Sequence, residues 1–124
     1  MRIIAGRHRG TKLAEPAGAS TRPTADRVRE SLFNILAGGR FGEAVIDARV
    51  IDAFAGTGAL GLEALSRGAA NATFIERDPG ALNTLRSNIA RLRREADAAV
   101  ISGDATNIAS WRGYAAGLLL AAAV

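Results

Sequence analysis

The stretch Val50-Ile51-Asp52-Ala53-Phe54-Ala55-Gly56-Thr57-Gly58-Ala59-Leu60-Gly61 decides the fold of this 124-residue chain. It begins with a mainly apolar run, passes through three glycines and continues into an apolar segment with a helical pattern. An apolar run before a glycine turn is typical of a parallel strand buried on both faces. Glycine lets the backbone turn sharply and approach a ligand, and the amides that open the next helix point into the same space. We therefore predict a nucleotide-type binding loop between a strand and a helix.

The chain beyond this loop alternates between strand and helix patterns. Further strands are predicted at 71–76, 98–101 and 118–124, because these runs are apolar or alternating. Helices are predicted at about 59–67, after the capping residue Asp78, and as a short turn around 105–111. The alternation predicts an open parallel α/β sheet with right-handed crossovers.

The first forty residues have a different pattern. Residues 2–13 are predicted to form a β-hairpin, and an amphipathic helix with Thr24 as its N-cap is predicted to follow. The apolar residues expected to dock this helix recur at helical spacing and are Val28, Leu32, Ile35 and Leu36.

Four side chains at or near the hairpin tip suit contacts with nucleic-acid phosphates; they are Arg7, His8, Arg9 and Lys12. His8 could also stack on a base, or be only a polar turn residue.

The charge of the chain is unevenly placed. The net charge is +4, and residues 1–40 hold eight Arg and Lys against three acidic residues, whereas the remainder is close to neutral. A basic arm on a near-neutral body indicates a polyanionic partner, most simply RNA, although a solvated terminus is the alternative. We therefore divide the chain into an RNA-binding arm at 1–40 and a ligand-binding core at 41–124.

The composition also sets limits. There is no cysteine and His8 is the only histidine, so we expect neither a disulfide nor a metal site. No signal peptide precedes the charged N-terminal residues, and no apolar run is long enough to span a bilayer. We expect a cytoplasmic, monomeric protein without membrane contact.

The identity of the ligand depends on three acidic residues. Gly56, Gly58 and Gly61 match the dinucleotide fingerprint G-x-G-x-x-G, which by itself would allow an NAD-dependent oxidoreductase. Asp52 lies inside the strand, however, where its charge would oppose a pyrophosphate and favour a ligand with a cationic tail, such as S-adenosyl-L-methionine. Glu76 could accept the ribose hydroxyls and Asp104 the adenine amino group; the alternative is that Asp52 and Asp104 are helix caps or solvated loop residues.

Several blocks of this sequence resemble the bacterial 16S rRNA (guanine-N2) methyltransferases of the RsmD type. They are Met1-Arg2-Ile3-Ile4-Ala5-Gly6, Arg22-Pro23-Thr24, Asp26-Arg27-Val28-Arg29-Glu30, Leu32-Phe33-Asn34-Ile35-Leu36, and Asp52 through Ala69. The resemblance implies a Rossmann-like class I methyltransferase fold, of which this chain would hold the N-terminal half of the parallel sheet. It implies S-adenosyl-L-methionine as cofactor and 16S rRNA of the small ribosomal subunit as substrate.

The resemblance also implies the residues of the site. The cofactor contacts it places on this sequence are Asp52, Phe54, Gly56, Gly58, Glu76 and Asp104, with Arg22 and Thr24 as further contacts near the methionine end. The basic arm carries over as the RNA contact.

One motif of that family is missing from these 124 residues. The family places Asp-Pro-Pro-[Phe/Tyr] after the fourth strand to orient the target amine and stack on the base. The only prolines here are Pro16, Pro23 and Pro79. We therefore expect a chain truncated before this motif, or a degraded relative, with little methyl transfer by itself; a non-catalytic module that binds RNA or cofactor is the alternative.

Overall fold

The structure is a computed structural model, and it describes residues 1–15, 23–37, 44–104 and 118–121. For 23–25 and 118–121 it describes the backbone. The helical turn predicted around 105–111 lies outside the described residues.

The described ranges of the chain form a central parallel sheet of four strands. Its strands are β1 (Arg49–Ala53), β2 (Asn71–Glu76), β3 (Ala98–Ser102) and β4 (Leu118–Ala121), in the order β3-β2-β1-β4. β1 pairs in parallel with β2 on one side and with β4 on the other. The predicted open parallel α/β sheet is therefore confirmed, and β1 lies at the point where the strand order reverses, which is where such sheets bind ligands.

In the described residues, three α-helices and one short 3₁₀ helix accompany the sheet. They are α1 (Pro23–Ala37), α2 (Ala59–Ser66), α3 (Pro79–Arg91) and the 3₁₀ helix Glu95–Asp97. The predicted cap of α3 is confirmed, since the Asp78 Oδ2 accepts a hydrogen bond of 2.8 Å from the backbone N–H of Ala81. None of the helices in the described part of the chain is long and apolar enough to cross a membrane.

The N-terminal hairpin is confirmed as a short antiparallel pair. Arg2 and Lys12 form an isolated bridge, and the backbone N–H of Ile3 donates to the carbonyl of Thr11 at 2.9 Å. Ile3 and Leu13 are almost fully buried and belong to the same hydrophobic core as the sheet. The hairpin thus packs on the body of the molecule, and the division at residue 40 remains a prediction about function.

Helix α1 presents a different face to the core than its apolar spacing predicts. Val28 and Ile35 are 63% and 59% exposed, whereas Phe33 and Arg29 are buried. The helix is turned so that Arg29 reaches the buried carboxylate of Glu63 in α2, which needs a cationic partner more than Val28 needs burial. The predicted docking stripe is therefore wrong at Val28 and Ile35.

The start of α1 also differs slightly from the prediction. The helix begins at Pro23, so Thr24 lies inside its first turn and not at the predicted N-cap position. Proline is well suited to a first helical position, because its missing N–H would have no partner there.

Candidate cofactor site

The glycine loop connects the end of β1 to the start of α2. Gly56 and Gly58 have φ values of 58° and 87°, in the left-handed region that favours glycine. A Cβ added at Gly56 would meet nothing within 4 Å, so the loop borders open space there. At Gly61, by contrast, a Cβ would lie 2.3 Å from Cε1 of Phe74, so this glycine lets α2 approach β2 closely. The loop thus borders open space at Gly56 and permits tight helix packing at Gly61.

Asp52 is buried beneath this loop, with 1% of its surface exposed. Its Oδ2 accepts a hydrogen bond of 2.9 Å from the backbone N–H of Gly61, while its Oδ1 is buried without a hydrogen-bond partner among the described residues. Burial raises the pKa of Asp52 to about 7; the Gly61 hydrogen bond acts against this shift and the nearby charge of Glu76 adds to it. A buried carboxylate oxygen in need of a donor fits a cationic ligand group.

Glu76, at the end of β2, is bound to the backbone of two loops. Its Oε1 accepts from the N–H of Gly56 at 2.8 Å, and its Oε2 accepts from the N–H groups of Arg77 and Asp78 at 3.0 and 2.9 Å. The carboxylate therefore braces the glycine loop against the start of α3, a role that sequence reasoning missed. Oε1 can accept a second hydrogen bond, so a ribose hydroxyl remains compatible with this arrangement.

Phe54 follows β1 directly and has unusual backbone geometry. Its φ is 58°, and its side chain is 43% exposed at the carboxyl end of the sheet. A bulky residue in the left-handed region is uncommon, and such strain concentrates at ligand-binding sites.

The three acidic residues predicted to converge do follow three adjacent strands. Asp52 lies in β1, Glu76 ends β2, and Asp104 comes two residues after β3. Asp104 is exposed, and its Oδ2 lies 3.9 Å from Nη1 of Arg77. Arg22 lies outside the described residues, and for Thr24 the structure describes the backbone within α1.

Comparisons with known proteins match most of this chain. A family model described as "Conserved hypothetical protein 95" matches residues 1–114. Ribosomal RNA small subunit methyltransferase D of Escherichia coli (strain K12) is 47% identical over 113 residues, which cover 91% of this chain and 54% of that protein. The protein of the same name from Haemophilus influenzae is 42% identical over 101 residues, covering 82% and 50%. The chain belongs to the methyltransferase D family.

Solved structures support the Rossmann-like fold of this family member. An Escherichia coli protein described as "Putative methyltransferase yhhF" superposes with a TM-score of 0.73 and 49% identity, over 87% of this chain and 55% of that one. A hypothetical protein of Thermus thermophilus superposes with a TM-score of 0.78 and 33% identity, over 98% of this chain and 67% of that one. The chain spans about half the length of the curated methyltransferase D relatives described above.

Glu63 is a buried carboxylate whose role was not predicted from the sequence. It lies in α2, fully buried, and accepts from the backbone N–H groups of Ile4 and Ala5 at 3.0 and 3.1 Å. It also pairs with Nε of Arg29 at 3.3 Å and Nε of Arg67 at 2.8 Å. Glu63 therefore joins the hairpin and α1 to the helix that begins at the glycine loop. A lone acid within the apolar segment 59–66 was the available signal.

Asn88 is a second residue that the sequence analysis missed. It is fully buried in α3, and its Oδ1 accepts from the N–H of Ala14 at 2.7 Å. Its Nδ2 donates to the carbonyls of Ala14 at 3.1 Å and Thr57 at 2.9 Å. Asn88 thus connects the end of the hairpin to the glycine loop, although no local pattern marks it.

The residues predicted to contact RNA differ in their exposure to solvent. Arg7, Arg9 and Lys12 are exposed, whereas His8 is half-buried with its Nε2 3.2 Å from Nη1 of Arg94. Burial lowers the pKa of His8, and the neighbouring charges of Arg94 and Arg7 act in the same direction. A neutral His8 accepts a hydrogen bond from Arg94, so its ring is held against the body of the molecule.

Proposed function

We propose that this chain is the S-adenosyl-L-methionine-binding and RNA-binding part of a small-subunit rRNA methyltransferase. The target would be the exocyclic N2 amine of a guanine in 16S rRNA, in the cytoplasm, with the chain acting as a monomer. The observation that carries the proposal is the unpartnered, buried Oδ1 of Asp52 beneath a glycine loop that borders open space. Family membership supports the same reading, since the relatives are named for rRNA methylation.

The residues present fit this cofactor. Asp52 would accept a hydrogen bond from the ammonium group of the methionine tail. This contact would give Oδ1 a partner and favour the ionised carboxylate. Glu76 would accept a ribose hydroxyl and Asp104 the adenine amino group, since both follow neighbouring strands. The loop at Gly56 and Gly58 would lie against the cofactor, with Phe54 beside it. Arg22 and Thr24 are proposed as contacts near the methionine end.

The cofactor supplies an electrophilic methyl group, and this chain's own residues bind and orient it. Orienting the target amine is a different task, which the family assigns to an Asp-Pro-Pro-aromatic motif. That motif does not occur in these 124 residues. On the RNA side, the exposed cations Arg7, Arg9 and Lys12 would contact phosphates, and His8 would contribute beside them. We therefore expect cofactor and RNA binding without appreciable turnover.

Calorimetry tests the cofactor. The chain should bind S-adenosyl-L-methionine and not NAD, and Asp52→Asn should weaken binding at least tenfold, because an amide cannot neutralise the ammonium group. The matched control is Asp47→Asn, which removes the same charge at an exposed loop position with a φ of 60° that asparagine tolerates. Tighter binding of NAD, or equal affinities for the two variants, would contradict the assignment.

Methyl transfer from labelled S-adenosyl-L-methionine to small ribosomal subunits tests the remaining point. Binding without transfer is the expected result for this chain. Transfer at an ordinary rate would show that residues other than the missing motif orient the target amine.

A further inference from the structure

A cavity lies away from the glycine loop, between the hairpin and the first half of α1. It has a volume of about 390 Å³. Ile3 and Ile4 contribute apolar surface to it. Its charged rim comes from the hairpin and from α1 and consists of Arg2, Arg9, Asp26, Arg27 and Glu30. Only Arg9 of these five belongs to the set that the sequence predicts as RNA contacts.

The charge of this rim is positive once the internal ion pairs are considered. Asp26 lies 3.2 Å from Nη2 of the buried Arg29, in an ion pair. Arg29 and Arg67 also pair with Glu63. The charges of these two arginines therefore balance those of Asp26 and Glu63.

The remaining rim charges are three arginines against Glu30, which leaves an excess of two positive charges. Arg2, Arg9, Arg27 and Glu30 are all exposed, so their charges face any molecule that enters the cavity.

The positions of the three arginines are set by the fold. The backbone carbonyl of Arg2 accepts a hydrogen bond from the buried Arg29. The backbone N–H of Gly10, next to Arg9, donates to the carbonyl of Ile3 at 2.8 Å. Arg27 lies on α1, two residues before Arg29. Guanidinium groups match phosphate oxygens in a bidentate geometry, and here two separate elements direct them to one cavity.

We propose that this cavity binds the sugar–phosphate backbone of the RNA substrate, with Arg2, Arg9 and Arg27 on the phosphates. The proposal rests on the proposed function, since it takes RNA as the substrate. It adds Arg2 and Arg27 to the RNA surface and places the RNA between the hairpin and α1. Glu30 opposes the phosphates and lowers the affinity.

The double variant Arg2→Ala/Arg27→Ala tests this placement, because these are the two residues that it adds to the RNA surface. The probe is a fluorescein-labelled transcript of 16S rRNA, and its dissociation constant is measured over a series of KCl concentrations. The logarithm of the association constant falls linearly with the logarithm of the salt concentration. Each lost phosphate contact should make this slope less negative by about 1, so the slope of the double variant should be less steep by about 2. The matched control is Arg49→Ala/Arg86→Ala, which removes two exposed arginines that do not line the cavity and should change the slope less.

Glu30→Gln supplies a test with the opposite sign. It should strengthen RNA binding severalfold, because it removes the one carboxylate of the rim that has no part in the neutral network. Glu95→Gln removes an exposed carboxylate in the 3₁₀ helix and should have a smaller effect. All these side chains are exposed, so unchanged melting temperatures should accompany the changes in affinity.

The outcomes separate the two proposals. If the wild-type chain binds RNA and the cavity variants behave as their controls do, the placement is overturned and the proposed function stands. If the wild-type chain does not bind the transcript, both fail. Binding of inorganic phosphate alone is measured with the same variants. If the cavity variant loses phosphate binding but binds RNA as its control does, the cavity is a site for a free anion and the placement is overturned.

Discussion

The carboxyl group of Asp52 links the stability of the protein to the proposed cofactor site. Its pKa is raised from 3.8 to about 7 on folding, so the folded state holds a proton that the unfolded state loses between these values. The free energy of unfolding therefore falls as pH rises through this window and levels off above about 7. A ligand cation at Oδ1 would favour the ionised form and reverse part of that loss.

Urea unfolding of the wild type and Asp52→Asn at pH 5 and pH 8 measures this effect. Relative to the variant, the wild type should lose about 2 to 3 kcal/mol between the two pH values, because only the wild type must ionise a buried group. Asp47→Asn, at an exposed position, should follow the wild type. Parallel pH profiles for the wild type and Asp52→Asn would mean that the carboxylate is solvated or paired in the folded state.

At the scale of the elements, Glu63 holds the hairpin and α1 against α2. Replacing Glu63 with Gln keeps the shape but leaves Arg67 without its carboxylate partner and the buried Arg29 with Asp26 alone. Removing one partner of a buried ion pair typically costs about 3–5 kcal/mol. We expect Glu63→Gln to lose stability of this order in urea unfolding, while the exposed Glu95→Gln changes it little. A loss below about 1 kcal/mol would show that backbone contacts alone hold the hairpin.

The elements also show how far the sequence could predict this fold. Residues 71–76 were predicted as a strand and form β2, because a period-2 pattern next to turn residues is a local signal. The orientation of α1 was not predictable in the same way. Its buried face depends on Glu63, which lies 34 residues beyond Arg29, and no local periodicity contains that pairing.

Only part of the candidate site could be predicted from the sequence, for the same reason. Asp52 and Glu76 could be placed at the carboxyl ends of neighbouring strands, because a parallel sheet brings those ends together. The bracing of Gly56 by Glu76 and the bridge through Asn88 could not be predicted, because each depends on side-chain geometry after folding.

At the scale of the whole molecule, Asn88 connects the hairpin, which is proposed to bind RNA, with the glycine loop, which is proposed to bind the cofactor. It bonds to Ala14, where the hairpin ends, and to Thr57, inside the glycine loop. Asn88→Asp is nearly isosteric but places a carboxylate against two carbonyl oxygens in a buried position, which is strongly unfavourable. We expect at least a tenfold weaker affinity for S-adenosyl-L-methionine and a lower melting temperature. Asn83→Asp, exposed on the same helix, is the control, and equal cofactor affinities for the two variants would show that Asn88 does not position the loop.

The position of β1 between its two partners has a consequence for the order of folding. Val50 pairs with Ala72 on one side and with Leu118 on the other, across 22 and 68 positions of sequence. Closing the longer loop costs more entropy, and distant pairings slow folding. The strand–loop–helix–strand segment 49–76 is contiguous and contains Asp52, the glycine loop and Glu76. We expect this segment to fold during synthesis, before β4 has been made, so that the residues of the candidate cofactor site would come together early in folding.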